Sequence, residues 1–337
     1  MKRHIIYVFF LFLPLLSFGQ YNQYYQGDTT KVKYPYTFPI FGNFLHDIGV
    51  DLPYPVGAMV NSYYGVQKIL ITDIAVGFEG VAGEGIPLTD ITRLIEFEDV
   101  NAKAYSVNFR PDIWILPFLD LYGIIGKVWS ETDVKVVYPF EFNAVAKLNG
   151  MSFGVGMTFA GGFSHYFGVL DMNNVWTYMT NFEEPVKTAV LSPRIGRTFQ
   201  LKKAESNFGI WVGAMSVKLG GITSGSIKLA EVMPEDTWEK RDEMVSDYYE
   251  WYYSIDELKQ NAADRILTPI VENIASSNGD ATVLYSITKE SKAEWNMLIG
   301  GQYQIDKHFQ VRTEFGFLGE RTSWLLSANY RFGIKHN

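Results

Sequence analysis

Near the C-terminal end of the chain, three consecutive segments alternate with a period of two. Along the first, Trp295, Met297, Ile299, Gly301, Tyr303 and Ile305 share one face, while Glu294, Asn296, Gln302 and Gln304 project from the other. In the second, Phe309, Val311, Phe315 and Phe317 alternate with Gln310, Arg312, Glu314 and Gly316. In the third, Trp324, Leu326, Ala328, Tyr330 and Phe332 stand against Ser327, Asn329 and Arg331. Successive strand side chains point to opposite faces, so each segment has an oily side and a wet side. In a soluble sandwich the oily side is the core. Aromatics at both ends of the strand and a charged second face fit a lipid-facing wall around a polar lumen better.

The same reading extended upstream places strands at about 56–78, 97–110, 112–129, 149–161, 164–178, 186–200 and 206–229, then 292–305, 308–318 and 321–333. Short connections at Arg110-Pro111-Asp112, Gly161-Gly162-Phe163, Leu201 to Glu205 and Asp306-Lys307 fall at every second junction, and the long connections all lie between them. Membrane barrels have even strand numbers, short periplasmic turns and long outer loops. The expectation is therefore an all-β fold, a transmembrane antiparallel up-and-down β-barrel of about ten strands over residues 56–333, with residues 334–337 as a tail. Twelve strands is the alternative, reached by folding 56–65 and 68–78 as a hairpin and separating 221–231 as its own strand.

Lys2 and Arg3 precede an apolar run from Ile5 to Leu16, and Ser17-Phe18-Gly19 supplies a signal-peptidase site, so residues 1–19 read as a cleaved signal peptide. That run is too short to span ~30 Å of hydrocarbon. Residues 20–55 read as an irregular N-terminal segment, polar at first and then rich in proline (Pro35, Pro39, Pro53, Pro55), packing inside or beneath the barrel.

Residues 230–291 break the alternation. They hold fourteen acidic residues against five basic ones, net -9, and so account for the whole of a chain charge of -8. This segment is expected to be a helical extracellular loop. Pro234 with Glu235 and Asp236 marks a helix start, and Ser254-Ile255-Asp256-Glu257 a capping box for a helix running to about Ser276, bent or interrupted near Pro269. Tyr248, Tyr249, Trp251, Tyr252 and Tyr253 cluster between the two helices, either as packing against the rim or as an aromatic platform for a sugar or a partner protein.

The lumen face should carry Asn108, Arg110, Asp120, Arg194, Glu294, Gln302, Arg312, Glu314 and Arg331, with Arg312 and Glu314 facing Glu294 or Arg331. In so narrow a barrel these charges are expected to form a structural ion-pair network, the alternative being a constriction that selects small solutes. Catalytic signals are weak. His46, His165, His308 and His336 have no partner at metal-ligand spacing, Ser164-His165 lacks the setting of a nucleophile elbow, and His46-Asp47 lies in the proline-rich segment. No cofactor site is expected. Zero cysteines exclude disulfides, thiolate metal sites and an acylated cysteine, and the acidic balance argues against nucleic acid as a partner.

The signal sequence, the alternating strands and the aromatic-rich last strand together resemble the outer-membrane β-barrel proteins of Gram-negative bacteria, over about residues 55–333. The resemblance implies a cell outer-membrane location, contact with outer-membrane lipid, and barrel-assembly machinery and periplasmic chaperones as partners during biogenesis. Phe332, in phase with Tyr330, stands where that machinery reads a terminal aromatic, with Gly333 to Asn337 after it. No enzymatic barrel family is matched, so no catalytic residue transfers. The leading function is a non-enzymatic surface-binding or envelope-structural role through the acidic loop. A narrow channel or transporter for small solutes is the second reading, and an outer-rim lipid-modifying enzyme or protease the third.

Overall fold

The computed structural model describes residues 34–335, apart from 49, 51, 80–84, 99, 139–141, 204, 221, 233–240 and 277–281. The expected signal peptide, the helix start at Pro234 and His336 lie outside the described residues. Ten strands close into one antiparallel ring: β1 (Val56–Glu79), β4 (Val100–Leu116), β5 (Leu119–Tyr138), β6 (Phe142–Phe163), β7 (Tyr166–Met179), β8 (Val186–Gln200), β9 (Asn207–Gly220), β12 (Trp295–Gln304), β13 (Phe309–Phe317) and β14 (Arg321–Phe332). Closure runs through β1, which pairs with β14 from Val56↔Phe332 to Gln67↔Arg321 and with β4 from Val56↔Ile113 to Ile69↔Val100. The ring satisfies every strand edge, which a β-fold surrounded by lipid requires.

Polarity is inverted relative to a soluble protein. On β14 the buried positions are Arg321, Ser323, Ser327, Asn329 and Arg331, while Trp324 is 52% exposed beside Ser323 at 5%. On β13 Phe315 is 47% exposed beside Glu314 at 5%. Two rings of outward aromatics border this surface. Paired neighbours Trp324, Tyr64, Tyr105 and Trp129 form the upper ring. The lower one includes Phe332, Tyr330, Phe309, Tyr303, Phe208 and Phe199. The eight steps from Trp324 to Phe332 cover ~26 Å along the strand, or ~20 Å across a bilayer at a tilt of ~40°. That is close to the ~25 Å apolar band of membrane barrels. Lys127, outward on β5, lies over the Trp129 ring at 5.2 Å, where its ammonium reaches the interface. No described helix is long and apolar enough to cross a membrane.

Two turns differ from expectation. Arg110-Pro111-Asp112 is not a connection: β4 runs through it and turns at Pro117-Phe118. Pro111 is tolerated because it faces outward and its neighbours carry the ladder, Phe109↔Ile125 and Asp112↔Tyr122. Gly161-Gly162-Phe163 is also strand, pairing with Gly168, Phe167 and Tyr166, and the turn is Ser164-His165 with Ser164 at φ 58. A second mid-strand proline, Pro193 on β8, lies across from Ala214 in the register, and the Ser192 hydroxyl donates to the Ala214 carbonyl at 2.9 Å. The side chain thereby replaces a missing amide donor.

Above the level of Gln67 the wall changes partners. β1 continues unbroken, which rules out the hairpin of the twelve-strand reading, and pairs with β11 (Thr282–Ser291), itself paired with β10 (Ile222–Lys228). Residues 282–291 are thus wall rather than loop, and 206–229 is two strands rather than one. β2 (Ile86–Asp90) and β3 (Glu96–Phe97) add to the edges of β1 and β5. The inserted helices are α2 (Leu229–Val232), α3 (Arg241–Ser254) and α4 (Glu257–Ser276). Asp256, not Ser254, caps α4, accepting the Lys259 amide at 3.0 Å and lying lower in pKa for it, whereas the Ser254 hydroxyl turns back to the Trp251 carbonyl. α4 passes through Pro269 to Ser276.

At the other end, residues 34–55 include one short helix, α1 (Gly42–Asp47), and a small core of Tyr34, Leu45 and Leu52. The segment is tied to the barrel floor by Ile40 N–H to the Ile115 carbonyl and by Arg331 Nε to the Tyr54 carbonyl, both 2.8 Å. It lies beneath the ring, and His46 sits on α1 within it.

Candidate functional site: a polar septum and an apolar chamber

The lower lumen is crossed by side chains in two rows. In one, β-ladder register sets Gly196, Trp211, Gly300 and Glu314 side by side on four strands. A Cβ on Gly300 would stand 2.6 Å from the indole, so glycine there lets Trp211 lie flat across β12 and donate Nε1–H to Glu314 Oε2 at 2.8 Å. Arg194 grips the same carboxylate in a fork, Nε to Oε2 at 2.6 Å and Nη2 to Oε1 at 3.0 Å, and Arg312 adds Nη2 to Oε2 at 3.0 Å. The Arg312 guanidinium also stands 5.0 Å from the Trp211 ring centre. Tyr122, Gly156 and Asn173 repeat the device across β5, β6 and β7. The phenol crosses Gly156, accepts from Asn173 Nδ2 at 3.2 Å and donates to Asp171 Oδ1 at 3.0 Å.

Arg110 joins the rows. Its guanidinium lies 3.3 Å from the Tyr122 ring centre, 3.4 Å from Asp120 and 3.7 Å from Asp171, and donates to Thr158 at 3.1 Å. Arg331 pairs with Asp112 at 2.9 Å. Four arginines (110, 194, 312, 331) therefore face four carboxylates (112, 120, 171, 314) in the septum, and the formal charges cancel.

The expected residues divide as follows. Arg110, Asp120, Arg194, Arg312 and Glu314 come together, Gln302 lines the space below them beside Arg312, and Asn108 bonds Asn61 at 2.8 Å. Glu294 does not join. It precedes β12 at the rim, half-exposed, 3.6 Å from Lys218, because β12 begins at Trp295 rather than at 292 and Glu314 pairs with Gly300, six residues further down the strand. Arg331 meets Asp112 rather than Glu314. Asp112, Tyr122, Asp171 and Trp211 were missed. Asp112 reads as a turn residue from sequence, but Asp171 carries a signal: it is the lone charged residue of its strand and shares its face with Asn173.

Cavities of about 160 Å³ below and about 380 Å³ above share Arg110, Asp171, Arg194 and Arg312, so the network is the partition between them. Higher still the lumen is not polar, contrary to expectation. A bulge at Thr72, between Ile71 and Asp73, shifts the phase of β1, so Ile69 and Ile71 below it and Ile74, Val76 and Phe78 above it all face inward. With Val134 and Val136 of β5, Ala144, Ala146 and Leu148 of β6, and Val283 and Ile287 of β11, they line an apolar chamber of about 260 Å³. Leu229, Leu267 and Val271 roof it and belong to the core that also holds Met244, Tyr248 and Ala263.

The aromatic cluster of α3 is mostly that roof's packing. Tyr248 is fully buried, bonds Thr268 through its hydroxyl at 2.7 Å, and has its pKa pushed up to about 12 by burial. Trp251 Nε1 reaches the Tyr138 hydroxyl at 2.9 Å, tying α3 to the end of β5, and Tyr249 and Tyr252 pack on the same core. Tyr253 alone is open, at 75%. Lys289 enters the chamber wall from β11, on the face of Val283, Tyr285 and Ile287, with its ammonium 5.6 Å from the Phe182 ring centre. Burial holds its pKa below the usual lysine value. His165 lies in a turn, and His308 stacks on Tyr330 at 5.5 Å with the tilted Tyr54 ring 4.6 Å away. Among the described residues no three His, Asp or Glu gather as metal ligands.

No family model matches the chain, and no curated protein matches it. Similar solved structures are Gram-negative outer-membrane β-barrels. The outer membrane protein OprG from Pseudomonas aeruginosa has 8% identity and TM-score 0.36, covering 84% of this chain and 98% of that one. The transport unit of the autotransporter AIDA-I from Escherichia coli has 11% identity and TM-score 0.34, with 82% and 90% covered. The translocator domain of the autotransporter NalP from Neisseria meningitidis has 9% identity and TM-score 0.34, with 82% and 88% covered. At these values no role of those proteins transfers to this chain.

Proposed function

We propose that the protein is an outer-membrane barrel closed to bulk diffusion, which binds a small apolar molecule in the chamber on its outer side. The observation that carries this reading is the change of lumen contents with height: a charge-balanced septum below and a roofed apolar space above. The inverted polarity of the wall supports the membrane location. The acidic insertion supports an outward-facing upper end, since the short turns and the floor segment occupy the opposite one. In this reading α3 and α4 serve as a roof rather than as a free binding arm.

Ion flow tests it. Purified full-length protein in planar bilayers is expected to show no large, steady conductance. Steady openings of general-porin size would contradict the closed lumen. The two polar cavities on either side of the septum favour a second reading, a narrow gated path for small solutes, and brief small openings that grow on Glu314→Ala would support it.

A further inference from the structure

The chamber wall contains a chemical mismatch. Every other lining residue is apolar or, like Thr132, Thr223 and Tyr285, a neutral hydroxyl, and Tyr285 already donates to the Asn181 carbonyl at 3.3 Å. Lys289 is charged and forms no hydrogen bond or ion pair with any described residue; only the Phe182 ring face attends it. A cation in an apolar wall without a counter-charge is unfavourable, and for packing alone leucine or methionine would serve better. In the septum each guanidinium has a carboxylate, and the buried Arg321 above it is held by the Met215 carbonyl and Asn296 Oδ1, whereas Lys289 has neither kind of acceptor among the described residues.

The space beside Lys289 is also suited to hydrocarbon. A dry cavity of ~150 Å³ already accepts a benzene-sized guest, and this one is about 260 Å³ with aliphatic walls from several strands and a helical roof. An occupant that completes both features has an apolar body and one anionic group. Lys289 is the only cation among the described lining residues, so a single negative charge is neutralised where a dianionic phosphate is not.

We propose that the chamber takes an amphiphilic monocarboxylate, its tail between Ile71, Val134, Ala146 and Val271 and its carboxylate against Lys289. The proposal rests on the binding-chamber reading above and adds the class of ligand. The lowered lysine pKa follows from the same burial, and a carboxylate seated beside the ammonium would move it back towards the usual lysine value.

The test uses full-length protein in lipid nanodiscs, so that detergent does not fill the chamber, and a fluorescent long-chain carboxylate as probe. Dodecanoate, dodecanol and dodecyl phosphate compete. Dodecanoate should displace the probe about tenfold or more better than dodecanol, the size of one charge-assisted hydrogen bond. Lys289→Met should erase that difference, Lys289→Arg should retain it, and Ala146→Trp, filling the chamber, should abolish binding. Equal competition by acid and alcohol, or stronger competition by the phosphate, overturns the ligand class while leaving an apolar binding chamber in place. An unchanged acid preference in Lys289→Met overturns the role of the lysine. No binding of the probe, or binding that survives Ala146→Trp, overturns the chamber reading itself.

Discussion

The lower and upper halves of the lumen are built on the same strands yet solve opposite problems. In the lower half inward positions hold eight formal charges, and all of them meet a partner of opposite sign. In the upper half the chamber lining is mostly aliphatic, and one ammonium stands there without a counter-charge among the described residues. Close pairing fills space and fixes side chains, which suits a closure. An apolar void beside an unpaired charge does neither, and suits an occupant. Strand periodicity sets which residues face inward, but what they do there depends on whether their partners are also inward.

The largest expected effect comes from unpairing the septum. Glu314→Ala leaves Arg194 and Arg312 buried together without a carboxylate, at a cost of about 3 to 5 kcal/mol. Urea unfolding in lipid, followed by tryptophan fluorescence, reads it. A loss below that of an ordinary surface substitution would mean the ion pairs are ornamental and the two halves are alike.

Next is the outer surface that both halves share. Met297→Arg or Phe315→Arg should cost about 2 to 4 kcal/mol in a bilayer, and Gln302→Ser, on the inner face of the same strand as Met297, far less. Equal losses on both faces would show that the oily surface is not in lipid. A smaller effect is expected in the chamber roof. Tyr248→Phe removes the hydroxyl bonded to Thr268 and should cost about 1 kcal/mol, without changing the septum.

The smallest expected effect is at the floor. Asp306 accepts the amides of His308 and Phe309 at 2.8 Å each, which lowers its pKa. Its folded value lies below its unfolded one, so its contribution is full above the ordinary aspartate range and is lost as pH falls through the folded value. Asp306→Asn should therefore lower stability slightly at neutral pH and leave it unchanged at low pH, which flattens the acid limb of the stability profile. A large loss at neutral pH would contradict this.

The alternation made the ring legible because it depends on local periodicity alone, and in β12 to β14 the outward residues are apolar but for Thr313 and Thr322. Arg110-Pro111-Asp112 reads as a turn because proline usually interrupts a strand, although an outward-facing proline in a barrel wall forfeits only part of one ladder. β11 was hidden inside an acidic, helix-rich stretch, since Thr282–Ser291 is paired through contacts with β1 some two hundred residues away. In the septum the arginines and Glu314 were readable from parity. Trp211 was not, because its role depends on Gly300 lying beside it on a strand distant in sequence. The chamber was not legible either: the Thr72 bulge changes the phase of β1, and nothing local announces a bulge.

The division of the lumen is most directly tested by thiol accessibility, for which the chain is suited by having no cysteine of its own. Thr188 and Thr198 lie on the same face of β8, with Arg194 between them; Thr188 lines the cavity above the septum and Thr198 the one below. Thr188→Cys and Thr198→Cys are each exposed to a small, membrane-impermeant thiol reagent on intact cells, and again after the outer membrane is permeabilised. A closed septum predicts that Thr198→Cys is modified only after permeabilisation, and that in the Glu314→Ala background it becomes reactive from outside. Rapid modification of Thr198→Cys on intact cells in the otherwise wild-type protein would contradict the account.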